Sequence, residues 1–225
     1  MPISPSPVRR WRSEYIPAYL SNGVIGLRAG PIPLIEGVAI VNGLAAVDPV
    51  EKGEGFARGP YPIGGDLEID GARLSRLPGQ SELVEQAYDF ASGELRSRFR
   101  FRSGETTATV EVLTFCSRSL PTVVLQDVQV RVDRPCRLVI TAKVDPTGIS
   151  GAWRSRETTT PDADKPVVDG SMLWETHGGL STCGAAYVTS FEGGDGVERQ
   201  REEHDELAPL STSYVVQARD RKSVV

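Results

Sequence analysis

The stretch ELRSRFRFRSGETTATVEVLTF, Glu94 to Phe115, alternates apolar and polar residues along two segments separated by a Ser-Gly step. Alternation at period two sends successive side chains to opposite faces of a strand, so the stretch predicts a β-hairpin with one buried face. With Ser103-Gly104 as a two-residue loop, Arg102 faces Glu105, Arg100 faces Thr107, Arg98 faces Thr109 and Arg96 faces Glu111. On the other face Phe101 meets Thr106, Phe99 meets Ala108, Ser97 meets Val110 and Leu95 meets Val112. A slip of one residue would mix the polar and apolar sets, which specifies the register strongly. The alternating arginines invite an anion-binding reading. Two of them face a glutamate across this ladder, so a solvated, charge-paired face is the simpler reading, and packing on another domain is the alternative.

The same period runs through most of the chain. Leu67 and Ile69 alternate with Glu68 and Asp70, and Asp70-Gly71 then forms a hairpin turn. Val123 to Val132 places Val124, Gln126, Val128 and Val130 on one side and Leu125, Asp127, Gln129 and Arg131 on the other. Asp133-Arg134-Pro135 turns the chain into a strand from Cys136 to Val144, and Asp145-Pro146-Thr147-Gly148 ends it. Met172 to Glu175, Cys183 to Phe191 and Tyr214 to Gln217 are further strands. Ser150 to Gly170 reads as a polar loop, and Gly193 to Leu207 as a charged, weakly ordered connection. The best helical candidate is short, Ser81 to Tyr88, SELVEQAY. Many short strands with Gly, Pro and Asp turns predict an all-β antiparallel sandwich.

At 225 residues the chain suffices for one large β domain or two small ones. A formal net charge of −5 argues against a nucleic-acid partner, which wants a basic surface. No apolar run approaches the ~20 residues of a membrane span. The N-terminus has basic residues but no apolar core after them, so it is not a secretory signal. Cys116, Cys136 and Cys183 are few, odd in number and far apart. They read as reduced core residues, and a cytoplasmic setting follows.

One segment, YLSNGVIGLRAG (Tyr19 to Gly30), raises a separate question. Its three glycines superficially suggest a phosphate cradle. The dinucleotide fingerprint needs two glycines one residue apart and a helix after them. Here the gaps are three and four residues, and Pro31-Ile32-Pro33 forbids the helix. Asn22-Gly23 instead suits a tight turn, with Val24, Ile25 and Leu27 as a strand and Gly26 as a bulge or a close backbone approach.

The segment resembles the opening of glycoside hydrolase family 65, which holds maltose, trehalose and kojibiose phosphorylases and related α-glucosidases. The matching residues are Asn22, Gly23, Ile25, Gly26 and Arg28. Two more features match in order: Val41-Asn42-Gly43, and VEVLTFCSRSLPTVVLQDVQV (Val110 to Val130) with its Ser117-Arg118 step. The resemblance covers roughly residues 15 to 150. It implies a large antiparallel super-sandwich of the galactose mutarotase type, followed in the family by a separate catalytic (α/α)6 barrel that carries the general acid and the phosphate site. None of that barrel is present here.

Residues 1–14 are then an N-terminal extension, and 15–219 an N-terminal β-sandwich domain expected to be incomplete at its C-terminal end. Asp220 to Val225, DRKSVV, matches what a sequencing adapter encodes, and reads as a non-native tail. A sandwich cut there is expected to aggregate. The expected partners are the missing catalytic domain, an α-glucoside ligand, and a second copy in a homodimer of the parent.

No catalytic, cofactor-binding or metal site is assigned, and no cofactor is expected. Glycoside cleavage by inversion needs two carboxylates placed across a bond, and no motif places such a pair. The run Glu202, Glu203, Asp205 and Glu206 reads as a solvated loop. His177 and His204 have no Cys or Asp at metal-ligand spacing. Ser21, Ser117 and Ser211 lack the G-x-S-x-G setting of a nucleophile. Trp153, in a polar loop, serves either packing or a sugar platform. The first reading is a non-catalytic N-terminal portion of a family 65-like hydrolase or phosphorylase. The rivals are a freestanding carbohydrate-binding module and a structural β domain.

Overall fold

The computed structural model describes residues 18–158, 168–193, 196–201 and 210–218. Among these there is no α-helix; a single 3-10 turn, Pro78–Gln80, is the only helical element. The first four strands, β1 (Ala18–Ser21), β2 (Ile25–Ala29), β3 (Gly37–Val47) and β4 (Glu54–Gly59), pair in sequence order as an N-terminal sheet. A hairpin follows, β5 (Tyr61–Ile69) and β6 (Ala72–Arg73). Its two turn residues both have positive φ, 48° at Asp70 and 89° at Gly71. That is the mirror-image turn that matches strand twist.

Next comes a four-stranded meander: β7 (Ser81–Asp89), β8 (Glu94–Ser103), β9 (Thr106–Cys116) and β10 (Val124–Val132). Strand β11 (Cys136–Asp145) then returns to β5. Strands β12 (Gly151–Thr158), β13 (Gly170–Thr176) and β14 (Thr182–Tyr187) form a three-stranded sheet. Finally β15 (Glu198–Arg201) and β16 (Leu210–Ala218) complete a five-stranded sheet in the order β15-β16-β11-β5-β6.

The meander and the five-stranded sheet face one another. Phe99, Phe101, Val110, Val112 and Val130 from the first meet Leu67, Ile69, Leu138 and Val216 from the second. Ile32 and Leu34, in the β2–β3 connection, join this core. Each fully buried Phe or Leu contributes about 2–3 kcal/mol, so this interface dominates the fold. A second cluster ties the N-terminal sheet to it through Leu20, Leu27, Ala29 and Ala39 against Tyr61, Leu95 and Cys116. A third, around Val144, Met172, Trp174 and Leu210, seats the three-stranded sheet. The chain is an antiparallel β-sandwich.

Four expectations are corrected. SELVEQAY is strand β7, not a helix: the register shifts between Leu83 and Glu85, so Val84 is an extra residue. A bulge resets the alternation, and apolar residues then fall at spacings that imitate a helix. The β8–β9 loop is Gly104-Glu105, with Ser103 paired to Thr106. Of the two loop residues only Gly104 has positive φ, 57°, which suits the type II′ turn. Every cross-strand partner therefore moves by two residues, and the two faces keep their membership. Ser150 to Gly170 contains strand β12, again hidden by a bulge between Trp153 and Ser155. Within Gly193 to Leu207 there is strand β15. The acidic run 202–206, His204 and Asp220 to Val225 lie outside the described residues, as do residues 1–14.

Candidate functional site

The three motifs that drew attention in the sequence meet at one corner. The Asn22 amide donates to the carbonyls of Ser117 at 2.6 Å and Pro121 at 2.9 Å. Its carbonyl oxygen accepts the N–H groups of Val24 at 3.0 Å and Ile25 at 2.9 Å. Asn42 donates from its backbone to Val24 at 2.8 Å and from its side chain to Gly23 at 3.4 Å. Gly23 has φ of 92°, a conformation that costs glycine nothing. The Ser117 hydroxyl accepts the Leu120 N–H at 3.0 Å. Asn-Gly is thus the pin that fixes the N-terminal sheet to the β9–β10 loop. The side-chain amide of Asn22 is bonded at both ends, so the corner holds structure.

Two grooves lie on outward sheet faces, and most of their charged groups pair with a neighbour. The larger, about 330 Å³, sits on the five-stranded sheet. There Arg73 and Arg137 pair with Glu68 at 2.9 and 3.2 Å, and Ser75 donates to Asp66 at 2.5 Å. Thr141 and Ser213 share a hydrogen bond of 2.8 Å, and Lys143 pairs with Asp145 at 2.8 Å. Burial alone would push the Asp145 carboxyl up, but the bonds from Lys143 and Thr147 hold it below the usual range. The smaller groove, about 280 Å³, sits on the meander. Arg98 pairs there with Glu85 at 2.8 Å, and Arg96 with Glu94 at 2.7 Å. The arginine stripe is exposed, and Arg96 and Arg98 are charge-paired with partners different from those of the expected register, while Arg102 bonds the Gly104 carbonyl.

An ion pair with a buried acid joins β15 to the residue just before β13, and Thr189, after β14, bonds to the same acid. Asp169 is fully buried and forms an ion pair with Arg199. The Thr189 hydroxyl lies 2.5 Å from the Asp169 carboxylate and 2.7 Å from the Tyr214 hydroxyl. Arg199 also lies over the Tyr214 ring. The pair anchors a connection, and neither of the two grooves includes Asp169.

The outward face of the N-terminal sheet differs from these. Across the ladder, Tyr19 pairs with Arg28 and Arg28 with Val38. One row further, Ser21, Gly26, Ile40 and Arg58 lie side by side. Phe56, two residues before Arg58 on β4, takes the same face by alternation. Tyr19 is 65% exposed, Ile40 48% and Phe56 88%. Among the described residues the side chains of Arg28 and Arg58 form no ion pair or hydrogen bond.

Comparison with known proteins fixes the family. The sequence pattern described as "Glycosyl hydrolase family 65, N-terminal domain" matches residues 17–225. The chain belongs to the glycosyl hydrolase family 65 N-terminal domain. A similar solved structure is described as "Putative kojibiose phosphorylase from human microbiome", with a TM-score of 0.62 at 11% identity. The likeness covers 91% of this chain and 28% of that one, so the chain spans little more than a quarter of its relative's length. No curated protein matches the sequence.

Within this family 65 domain, the motif residues Asn22, Gly23, Asn42 and Ser117 converge, whereas Arg28 points elsewhere, onto the open face. Gly26 makes no bulge, because the register runs through it unbroken on both sides. Trp153 lies in β12 and packs edge-on against Trp174 at 4.9 Å, with Arg156 over its ring. His177 is exposed near Asp48, whose carboxyl is lowered mainly by the N–H groups of Glu51 and Val50. Ser21 and Ser117 serve the turns at the pinned corner. Cys116 and Cys136 are buried and their thiols are pushed up to about 11 by burial, and Cys183 is half-buried; all three are free. Among the described residues no cluster could hold a metal ion, and no helix is long and apolar enough to cross a membrane. The open face was missed in the sequence because it needs the β1–β2–β3–β4 register. Its signal was Gly26 and Arg28 within one motif.

Proposed function

We propose that the chain is the non-catalytic N-terminal β-sandwich of a family 65 enzyme that cleaves α-glucosides, by phosphorolysis or hydrolysis, on a separate (α/α)6 barrel. The observation that carries this reading is the family match across residues 17–225. It is supported by the share of a solved relative that the domain fills, 28%, and by that relative's description as a phosphorylase. The site chemistry agrees. Cleavage by inversion needs a general acid and an activated water or phosphate on opposite sides of the bond. In the grooves Asp66, Glu68 and Glu85 are engaged by serine or arginine, and Asp127 accepts from Gln129. Glu111 stands between Arg98 and Gln129 in the ladder, on the same sheet face as Asp127, where the two do not flank a bond from opposite sides. The three free cysteines fit a reducing, cytoplasmic setting.

The role of the domain is mechanical: it supports the barrel and shapes one side of its pocket. The rival reading, a freestanding carbohydrate-binding module, had Trp153 as its platform. That ring is engaged by Trp174 and Arg156. The test is an assay of the 225-residue chain with maltose, trehalose and kojibiose, with and without inorganic phosphate, beside calorimetric titration of the same sugars. The expected result is no turnover and no binding heat. Turnover overturns the non-catalytic role, and saturable binding supports the rival.

A further inference from the structure

We infer that the outward face of the N-terminal sheet is a docking surface, and that its occupant is a carboxylate-bearing apolar surface on the remainder of the family 65 polypeptide. This rests on the function proposed above and adds the place and chemistry of the joint. An antiparallel sheet with one face in the core puts polar residues on the other. The meander obeys that rule with Arg96, Arg98, Arg100 and Arg102. The N-terminal sheet breaks it with Tyr19, Val38, Ile40 and Phe56, all on the side away from the core.

Charge selects the occupant. Arg28 has Tyr19 and Val38 as ladder neighbours, and Arg58 has Ile40; none is an acid. Glu54, two residues before Phe56, shares the face by alternation but pairs with neither arginine, and Glu36 at the sheet's rim folds over Gly30. A guanidinium presents a fork of donors that a carboxylate matches with two parallel bonds. Pairing this face with a second copy of itself would set arginine near arginine, which opposes self-association. Tyr, Phe and Arg are also side chains enriched at protein interfaces.

Gly26 points the same way. It sits mid-strand, has no positive φ, and an added Cβ would meet nothing closer than 3.9 Å. Glycine weakens a strand, and a strand glycine marks a place where another backbone or a ligand comes close. Among the described residues nothing comes closer than its own ladder neighbours, Ser21 and Ile40, so the space above it is open to a surface outside them. A small sugar is a poor occupant, because small ligands take concave sites and the two grooves described above lie on other faces. Most of the similar solved chain lies outside the region this domain covers, which supplies a neighbour in the same polypeptide.

The test is hydroxyl-radical labelling of two proteins: the 225-residue chain, and the polypeptide that carries it in its source genome. Tyr19 and Phe56 are expected to label severalfold less in the longer protein, at any concentration, while Phe90, exposed beyond the end of β7, labels equally in both. In the longer protein Arg28→Glu with Arg58→Glu is expected to restore labelling at Tyr19. Arg100→Glu with Arg102→Glu is expected to leave it unchanged. Equal labelling of Tyr19 and Phe56 in both proteins overturns the proposal. Protection that grows with protein concentration also overturns it, in favour of a second copy. If the reading frame closes at Val225, both this inference and the proposed function fail. A longer protein with an open face sinks this inference alone.

Discussion

Two sheets of this domain carry arginines on an outward face, and they use them differently. On the meander, Arg98 stands between Glu85 and Glu111 and Arg100 between Glu82 and Thr109 in the ladder. Arg98 and Arg96 are ion-paired, and Arg102 donates to the Gly104 carbonyl at 3.2 Å. On the N-terminal sheet the neighbours of Arg28 and Arg58 are Tyr19, Val38 and Ile40. The first face is suited to water. The second asks for a partner. The difference lies in what the register places beside each arginine, since the residue type is the same.

The largest effect should come from filling glycines in the two settings. At Gly65, inside the five-stranded sheet, an added Cβ would lie 2.6 Å from the Thr141 carbonyl oxygen. Gly65→Ala is expected to cost about 3 kcal/mol by overpacking. Gly26→Ala on the open face is expected to stay within about 0.5 kcal/mol of the parent in the isolated chain. Urea unfolding reads both. A large loss at Gly26 would mean that the face is not open.

Cutting the pin comes next. Asn22→Ala removes the two bonds to Ser117 and Pro121 and the two to Val24 and Ile25, and is expected to cost about 2–3 kcal/mol. Faster amide exchange at Ser117 and Val123 would accompany it if the pin holds the β9–β10 loop. Unchanged exchange there would show that the two sheets are joined by the apolar cluster alone.

Smaller effects separate the two sets of arginines. Arg98→Ala should cost about 0.2–1 kcal/mol, shrinking with added salt, because an exposed pair is lost. Arg28→Ala should change stability by less than about 0.5 kcal/mol at any salt concentration in the isolated chain. A salt-dependent loss at Arg28 would reveal an acid partner within the chain. Smallest of all, Phe56→Ser should leave the unfolding midpoint of the isolated chain in place, because the exposed ring has little packing to lose there; a lowered midpoint would mean that the ring is covered within the chain.

Much of this fold is legible in the sequence because a strand's period of two is a local property. Strands β8 to β11 and the Asp70-Gly71 turn follow from alternation and turn chemistry alone. What failed was bulged. Val84 and Arg154 are each one residue too many for the ladder, and an extra residue breaks the alternation that identifies a strand. The Ser103-Gly104 loop was wrong by one position because the faces survive a two-residue change of partner, so facial sorting fixes parity and leaves pairing open. The open face was the least legible part. Arg58 reaches it only because β3 is irregular between Ile40 and Ala45, which no local pattern announces. The family motif did contain Gly26 and Arg28, but only the register separates those two from Asn22 and Gly23, which hold the corner.

The most direct test of the account is to read the source DNA through and beyond the end of this frame. The account predicts that coding continues past the sandwich into a helix-rich region bearing a catalytic glutamate. A stop directly after Val225, confirmed on the original DNA, would contradict it, because the domain would then have no barrel to support.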